Sequence, residues 1–196
     1  TSWNAWVTIQ IGCDNTCAYC IVPAVRGKEI SRPFDDIVHE VEHLASSGVT
    51  EVTLLGQNVN SYGRDISLDE RRAGEDVRVS PKFAELLRSV GSVEGIHRVR
   101  YTSPHPKDMR DDVLRAMAET PAVCEHLHYP LQAGSDRVLA LMHRGYTAER
   151  YLDRLAEARR LMPDLAVTTD IIVGFPGETE DDFVRTLEVA AEADFD

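Results

Sequence analysis

Runs of strand-forming residues alternate with runs of helical periodicity along the whole chain, and this alternation limits the fold more than any other feature. Residues 7–12 (VTIQIG), 51–56 (EVTLLG), 97–102 (HRVRYT), 126–132 (HLHYPLQ) and 165–175 (LAVTTDIIVGF) read as strands. Between them apolar residues return at helical spacing. Phe34, Ile37, Val38, Val41, Leu44 and Ala45 mark one helix; Phe83, Leu86, Leu87 and Val90 mark a second, ending near Gly91. Val113, Leu114 and Met117 mark a third, residues 148–162 a fourth, and Phe183, Leu187 and Ala190 a fifth. Pro33 suits a first helical turn and Gly48 a stop. Five strand–helix units in series predict an α/β fold, a parallel sheet with helices outside it and right-handed crossovers. Periodicity leaves a doubly wound sheet and a curved partial barrel both open.

Polar or glycine-rich residues follow each strand: the cysteine loop, Gln57-Asn58, Ser103-Pro104-His105, Gln132-Ala133-Gly134-Ser135 and Gly174-Phe175-Pro176-Gly177. All lie at carboxyl ends of strands, where parallel α/β proteins build their sites. Residues 62–80 are polar, charged and weakly periodic, and are expected to form a mobile surface insertion between the second strand and its helix. The chain stops in or just after a helix with no closing strand, which reads as truncation before a last strand.

With 196 residues, 43% of them hydrophobic, the chain can bury the core of one domain. No apolar run approaches a membrane span, and the first twelve residues lack the basic and apolar regions of a secretion signal. The expectation is a cytoplasmic protein, or a fragment of one. A net charge of −12 argues against gripping nucleic acid by bulk electrostatics, but leaves local basic patches open. Arg98, Arg100, His105, Lys107 and Arg110 are one candidate, and Arg26, Lys28 and Arg32 another.

Three of the four cysteines, Cys13, Cys17 and Cys20, fall in the segment GCDNTCAYC after the first strand. A disulfide framework would spread its cysteines along the chain. Closely spaced thiolates in one loop suit an iron–sulfur cubane, and three ligands for four irons leave one iron open for chemistry. A zinc site and a redox thiol pair at Cys17 and Cys20 are the alternatives. Zinc would need a fourth ligand, and the next histidine, His39, falls in the first predicted helix. Cys124 stands alone and reads as a core thiol. Trp3 and Trp6 read as packing residues, and His126 and His128 as packing or substrate-side polar groups.

The cysteine spacing, with Tyr19 before the last, resembles the signature of the radical S-adenosylmethionine (SAM) superfamily. That resemblance implies a partial (βα)6 TIM-like barrel. It also implies a [4Fe–4S] cluster on Cys13, Cys17 and Cys20 whose open iron is chelated by the amino and carboxylate groups of SAM. Reductive cleavage of the sulfonium would then release a 5′-deoxyadenosyl radical. The segments GCDNTCAYCIVPAVRGKEISRP, LLGQNVNSYG, RVRYTSPHP, HYPLQAGSDRVLALMHRGYT and DIIVGFPGETEDDF further resemble the methylthiotransferases, over most of the chain except the charged insertion.

Within that group, Gln57-Asn58 and the run from Thr102 to Pro106 point to enzymes that place a methylthio group on C2 of N(6)-isopentenyladenosine beside the tRNA anticodon. Relatives acting on threonylcarbamoyladenosine or on ribosomal protein S12, and a non-catalytic iron–sulfur or zinc module, are the rival readings. The family implies an N-terminal domain with a second [4Fe–4S] cluster and a C-terminal RNA-binding domain, both outside this chain. The chain alone is therefore not expected to complete the reaction. The tRNA anticodon loop, an electron donor such as flavodoxin or ferredoxin, no membrane, and a monomeric full-length enzyme are the expected partners and state.

Candidate cofactor contacts follow from the same placement. Gly56 permits close backbone approach, and Gln57 and Asn58 offer donors and acceptors to a polar ligand or to a turn. Gln132, Gly134 and Ser135 carry the same two readings. Arg144 could pair with the cofactor carboxylate or lie on the surface. Asp170, within an apolar strand, should need a partner. Gly174 and Gly177 suit a tight loop beside the adenine, or a plain turn. Tyr19 completes the set.

Overall fold

The alternation becomes a curved layer of strands with helices on one face in the computed structural model, which describes residues 3–196. The chain opens with β1 (Asn4–Thr8), a two-residue β2 (Gln10–Ile11), a short α1 (Val22–Arg26) and β3 (Ile30–Ser31). It continues through α2 (Phe34–Ser46), β4 (Glu51–Leu55), α3 (Arg64–Arg72), α4 (Phe83–Gly91) and β5 (Arg98–Tyr101). Then come α5 (Asp111–Glu119), β6 (His126–His128), α6 (Asp136–Leu141), α7 (Ala148–Leu161), β7 (Ala166–Thr168) and α8 (Glu180–Ala193).

β1, β4 and β5 pair in parallel in that order, and β6 pairs with β7 in parallel. A parallel bridge from Val99 to Val123 carries the layer from β5 towards β6. The parallel strands thus follow chain order, without the reversal that marks a doubly wound sheet. This resolves the choice left open by periodicity in favour of the partial barrel. Strand side chains alternate as a period of two requires. Val7, Val52, Leu54, Val99, Tyr101, Leu127 and Val167 are buried, while Trp6, Thr8, Arg98 and Arg100 are exposed on the opposite face.

That alternation corrects several expectations. Trp6 is 74% exposed on the open face of an edge strand instead of packed. Trp3 is also exposed, with the Arg98 guanidinium 5.9 Å from its ring centroid. Arg98 and Arg100 do not form a free basic patch, because both pair with the buried Glu51 of the neighbouring strand. Cys124 is only partly buried, and Arg100, Glu51 and Arg98 lie near enough to act on its thiol.

The strands are also shorter than the apolar runs. The first run divides: β1 stays in the sheet, while β2 leaves it and pairs antiparallel with β3. The fourth and fifth runs keep three-residue ladders and then touch again at a bridge between Gln132 and Ile171. Pro130 lacks an N–H for the ladder, and Gln132 adopts a left-handed φ of 68°.

Part of the polar segment 62–80 is the helix α3. Tyr62 before it is fully buried, and its hydroxyl donates to the Arg32 carbonyl at 2.9 Å. Asp65 accepts from the Ser31 N–H at 2.8 Å, and Ser67 accepts from the Ser80 N–H at 3.0 Å. Polar hydrogen bonds dock this helix, so a search for apolar periodicity passes over it.

One core runs between the sheet and the helices, with Ile37 and Val41 of α2 and Leu86, Leu87 and Val90 of α4 over Val52 and Leu54. Leu54 sits fully buried in the middle strand of three. Truncating it to alanine should cost roughly 2–5 kcal/mol through lost transfer energy and the cavity left behind. Urea unfolding of Leu54→Ala should show the midpoint falling; an unchanged midpoint would contradict this placement of the core.

Candidate cofactor site

Gly12 starts the cysteine loop with φ 77°, and a Cβ there would lie 2.0 Å from the Lys28 carbonyl oxygen. Only glycine permits that closure of the two sides of the loop. The Gly12 N–H donates to Gln57 Oε1 at 2.6 Å, so the second residue after β4 fixes the residue before the first cysteine. Further on, the Cys13 N–H donates to the Gly27 carbonyl at 3.2 Å and the Ala18 N–H to the Met142 carbonyl at 3.1 Å. His143, at φ 57°, places its Nδ1 3.0 Å from the Thr16 carbonyl.

Cys13, Cys17 and Cys20 are free thiols around a cavity of about 330 Å³, shared with Asn15, Pro23 and Lys28. Burial pushes the Cys13 thiol above its ordinary value, with Glu29 and Cys17 adding to the effect. Bound metal would reverse that preference by holding the thiolate.

Beside this loop lies a cavity of about 150 Å³ lined by Gln57, His105, His128, Gln132, Arg144 and Asp170, among others. Four residues expected to touch a cofactor therefore do converge. Arg144 is 5% exposed, donates from Nη1 to Cys17 Sγ at 3.4 Å and from Nε to the Tyr146 hydroxyl at 3.3 Å. It has no carboxylate partner among the described contacts, so the surface reading of Arg144 does not hold. Asp170 is not buried in its apolar run; its side chain is 68% exposed and lies 3.2 Å from His128 Nε2. The chain has left the regular ladder by then, so the carboxylate keeps water.

Other expected contacts sit elsewhere. Asn58 is buried facing Asp108, to which its Nδ2 donates at 2.8 Å, and its carbonyl accepts from Gln10 Nε2. Gly56 is buried, and a Cβ there would come within 2.8 Å of the Gln10 side chain. Its small size therefore serves packing against β2. Ser135 caps α6 and donates to Asp182 Oδ1 at 2.5 Å. Asp182 in turn pairs with Arg137 and completes the capping box of α8 with Thr179, and these bonds hold its carboxyl well below the usual range. Gly174 (φ 77°) opens a turn whose N–H groups at Gly174 and Phe175 point to Glu178. Tyr19 meets Phe175 of that turn edge-on, with centroids 6.5 Å apart. Two walls of the site are thereby tied together.

Three further contributors were not among the expected cofactor contacts, although His105 was named in the loop after the third strand. His105 is buried, and its Nε2 lies 3.9 Å from Cys17 Sγ. Burial, with Arg144 and Lys107 adding to it, pushes its ring down to about 2, so the imidazole is neutral. Asn60, fully buried, clamps the His105 backbone, and Tyr146 bonds the Leu131 carbonyl at 2.7 Å while packing edge-on to His105. The position of His105 after a strand was the available signal; Asn60 and Tyr146 offered none beyond residue type.

A family model described as "Radical SAM superfamily" matches residues 7–190. The chain belongs to the radical SAM superfamily. It is 56% identical over 195 residues to the tRNA-2-methylthio-N(6)-dimethylallyladenosine synthase of Saccharopolyspora erythraea, and 55% identical over 195 residues to that of Mycobacteroides abscessus. In both cases all of this chain is covered, but it spans only 38% of the relative. Among solved structures it resembles the radical S-adenosylmethionine methyltransferase TsrM of Kitasatospora setae, bound to cobalamin and a [4Fe–4S] cluster. The TM-score is 0.72 at 17% identity, covering 97% of this chain and 35% of that one. It also resembles the coproporphyrinogen III oxidase HemN of Escherichia coli, with TM-score 0.59 and 19% identity over 98% of this chain and 42% of that one. These two likenesses bear on the fold, a partial TIM-like radical SAM barrel. No helix among the described residues is long and apolar enough to cross a membrane.

Below the cysteine loop, a cavity of about 370 Å³ gathers Asp14, Glu29, Asp65 and Asp108 with Arg64 and Lys107. Burial, then the charges of Asp14, Asp65 and Asp108, raise Glu29 from 4.5 to about 7, against a hydrogen bond from Ser61. Its protonated form thus contributes stability that is complete below about pH 4.5 and lost as pH rises through about 7. Glu29→Gln should therefore gain stability relative to the parent between pH 4 and pH 8, read by urea unfolding at both ends. A stability difference that stays constant with pH would refute the shifted carboxyl.

Proposed function

We propose that this chain holds a [4Fe–4S] cluster on Cys13, Cys17 and Cys20 and binds SAM at the cluster's open iron, as the catalytic core of a tRNA methylthiotransferase. The observation that carries the reading is the arrangement of the three free thiols around one cavity, beside a second cavity lined by Gln57, Gln132, Arg144 and Asp170. Thiols spread around a space suit separate irons of a cubane.

When bound, the cluster and SAM supply the radical chemistry. The protein's own residues orient and shield. Gln57 fixes the entry to the cysteine loop, Arg144 and His105 stand over Cys17, and the Gly174 turn with Tyr19 and Phe175 offers a small apolar shelf for a nucleoside. The expected contacts Gln57, Gln132, Arg144 and Asp170 remain the best placed for SAM. Asn58, Gly56 and Ser135 act as supports behind the site.

The substrate reading rests on identity of more than half to synthases named for N(6)-dimethylallyladenosine in tRNA, across the whole of this chain. Adenosine beside an anticodon is a base that can be reached at low unstacking cost. Methylthio transfer to its C2 is assigned to a whole protein of the relatives' length, with tRNA as partner and a low-potential flavin or iron–sulfur protein as electron donor.

Anaerobic reconstitution with iron and sulfide tests the core of the proposal. The chain should bind both in cubane proportion and, once reduced, convert SAM to 5′-deoxyadenosine and methionine. Replacing Cys13, Cys17 or Cys20 singly with alanine should abolish SAM cleavage. Zinc uptake without sulfide, or a cluster that never cleaves SAM, would refute it.

A further inference from the structure

We propose that His105 and Arg144 are positioning residues that set the reduction potential of the cluster through Cys17; this rests on the cluster assignment above. Arg144 is nearly fully buried, and a buried guanidinium needs an anion. No carboxylate among the described residues meets it. Its donors reach Cys17 Sγ at 3.4 Å and the Tyr146 hydroxyl at 3.3 Å, and its charge lies 5.4 Å from the Tyr146 ring centroid. Ligating the cluster, the Cys17 sulfur would be a thiolate and the negative partner of this guanidinium.

His105 approaches the same sulfur from another element. The Lys107 N–H donates to His105 Nδ1 at 3.1 Å, which places the proton of the neutral ring on Nε2. That Nε2–H has Cys17 Sγ, at 3.9 Å, as its partner. The ring is held there. Asn60 accepts from the His105 N–H at 2.8 Å and donates to its carbonyl at 2.9 Å, and Tyr146 stands edge-on at 6.0 Å. Two residues earlier the backbone passes through a left-handed φ of 56° at Ser103, a conformation kept only where the surroundings enforce it.

The consequence follows from charge. Reduction adds one electron to the cluster and spreads negative charge onto its sulfurs. Donors to a ligating sulfur stabilise that form more than the oxidised one and raise the potential. A full charge at Arg144 should act more strongly than the neutral N–H of His105.

The test is a redox titration followed by electron paramagnetic resonance on the full 196-residue chain, reconstituted anaerobically and without SAM. Arg144→Met should shift the reduction equilibrium about tenfold towards the oxidised form, ~59 mV for a one-electron couple. His105→Leu should shift it in the same direction by less. Arg144→Lys and His105→Gln, which keep a donor, should restore part of each shift. If Arg144→Met loses the cluster, the His105 pair still decides. Full clusters with unmoved potentials in His105→Leu would overturn this inference alone. Failure of the parent chain to assemble a cluster would overturn the cofactor assignment as well.

Discussion

Parallel pairing of β1 with β4 decides where the chemistry of this chain sits. Thr8 stands opposite Leu55, so the two strands run out together at the carboxyl edge of the sheet. The segments that leave them are then neighbours, and the Gln57 side chain takes the Gly12 N–H at the mouth of the cysteine loop. A parallel sheet repeats this at every strand, collecting the loops at one edge while the helices cover one face. The β2–β3 ribbon, which closes the loop from behind, is possible because glycine at position 12 lets two backbones approach.

Electrostatics then divides the molecule. Most of its arginines are spent on carboxylates: Arg98 and Arg100 on Glu51, Arg137 on Asp182, Arg154 on Asp111. Arg144 is the contrast, buried with only sulfur, a hydroxyl and a ring around it. In a chain of net charge −12, this arginine is buried without a carboxylate partner among the described residues and is aimed instead at the Cys17 sulfur. Strain gathers at the same place. Ser103, Gln132 and His143, three of the four non-glycine residues with left-handed φ among those described, flank this site. Such conformations persist where surrounding contacts over-determine them.

The fold was largely legible because hydrophobic period reports which face of an element meets the core. Val52 and Leu54, or Leu86 and Leu87, carry that report in their spacing. The cysteine loop was legible from residue type and position. Elements held by polar bonds were not: α3 docks through Tyr62, Asp65 and Ser67, and no apolar stripe announces it. Within the site, sequence placed residues after the right strands but could not aim them. Gln57 and Asn58 are adjacent, yet one faces the cysteine loop and the other Asp108. His105 was visible as a charge in a basic run, whereas burial makes it a neutral donor. Orientation of that kind depends on contacts tens of residues away.

The central claim is that three protein thiolates leave one iron to SAM. Pulsed electron–nuclear double resonance on the reduced, reconstituted chain with SAM labelled by nitrogen-15 at its amino group addresses it directly. A hyperfine coupling from that nitrogen to the cluster is the predicted result, since only direct chelation brings the amine onto iron. A cluster signal with no coupling from the label would contradict the account.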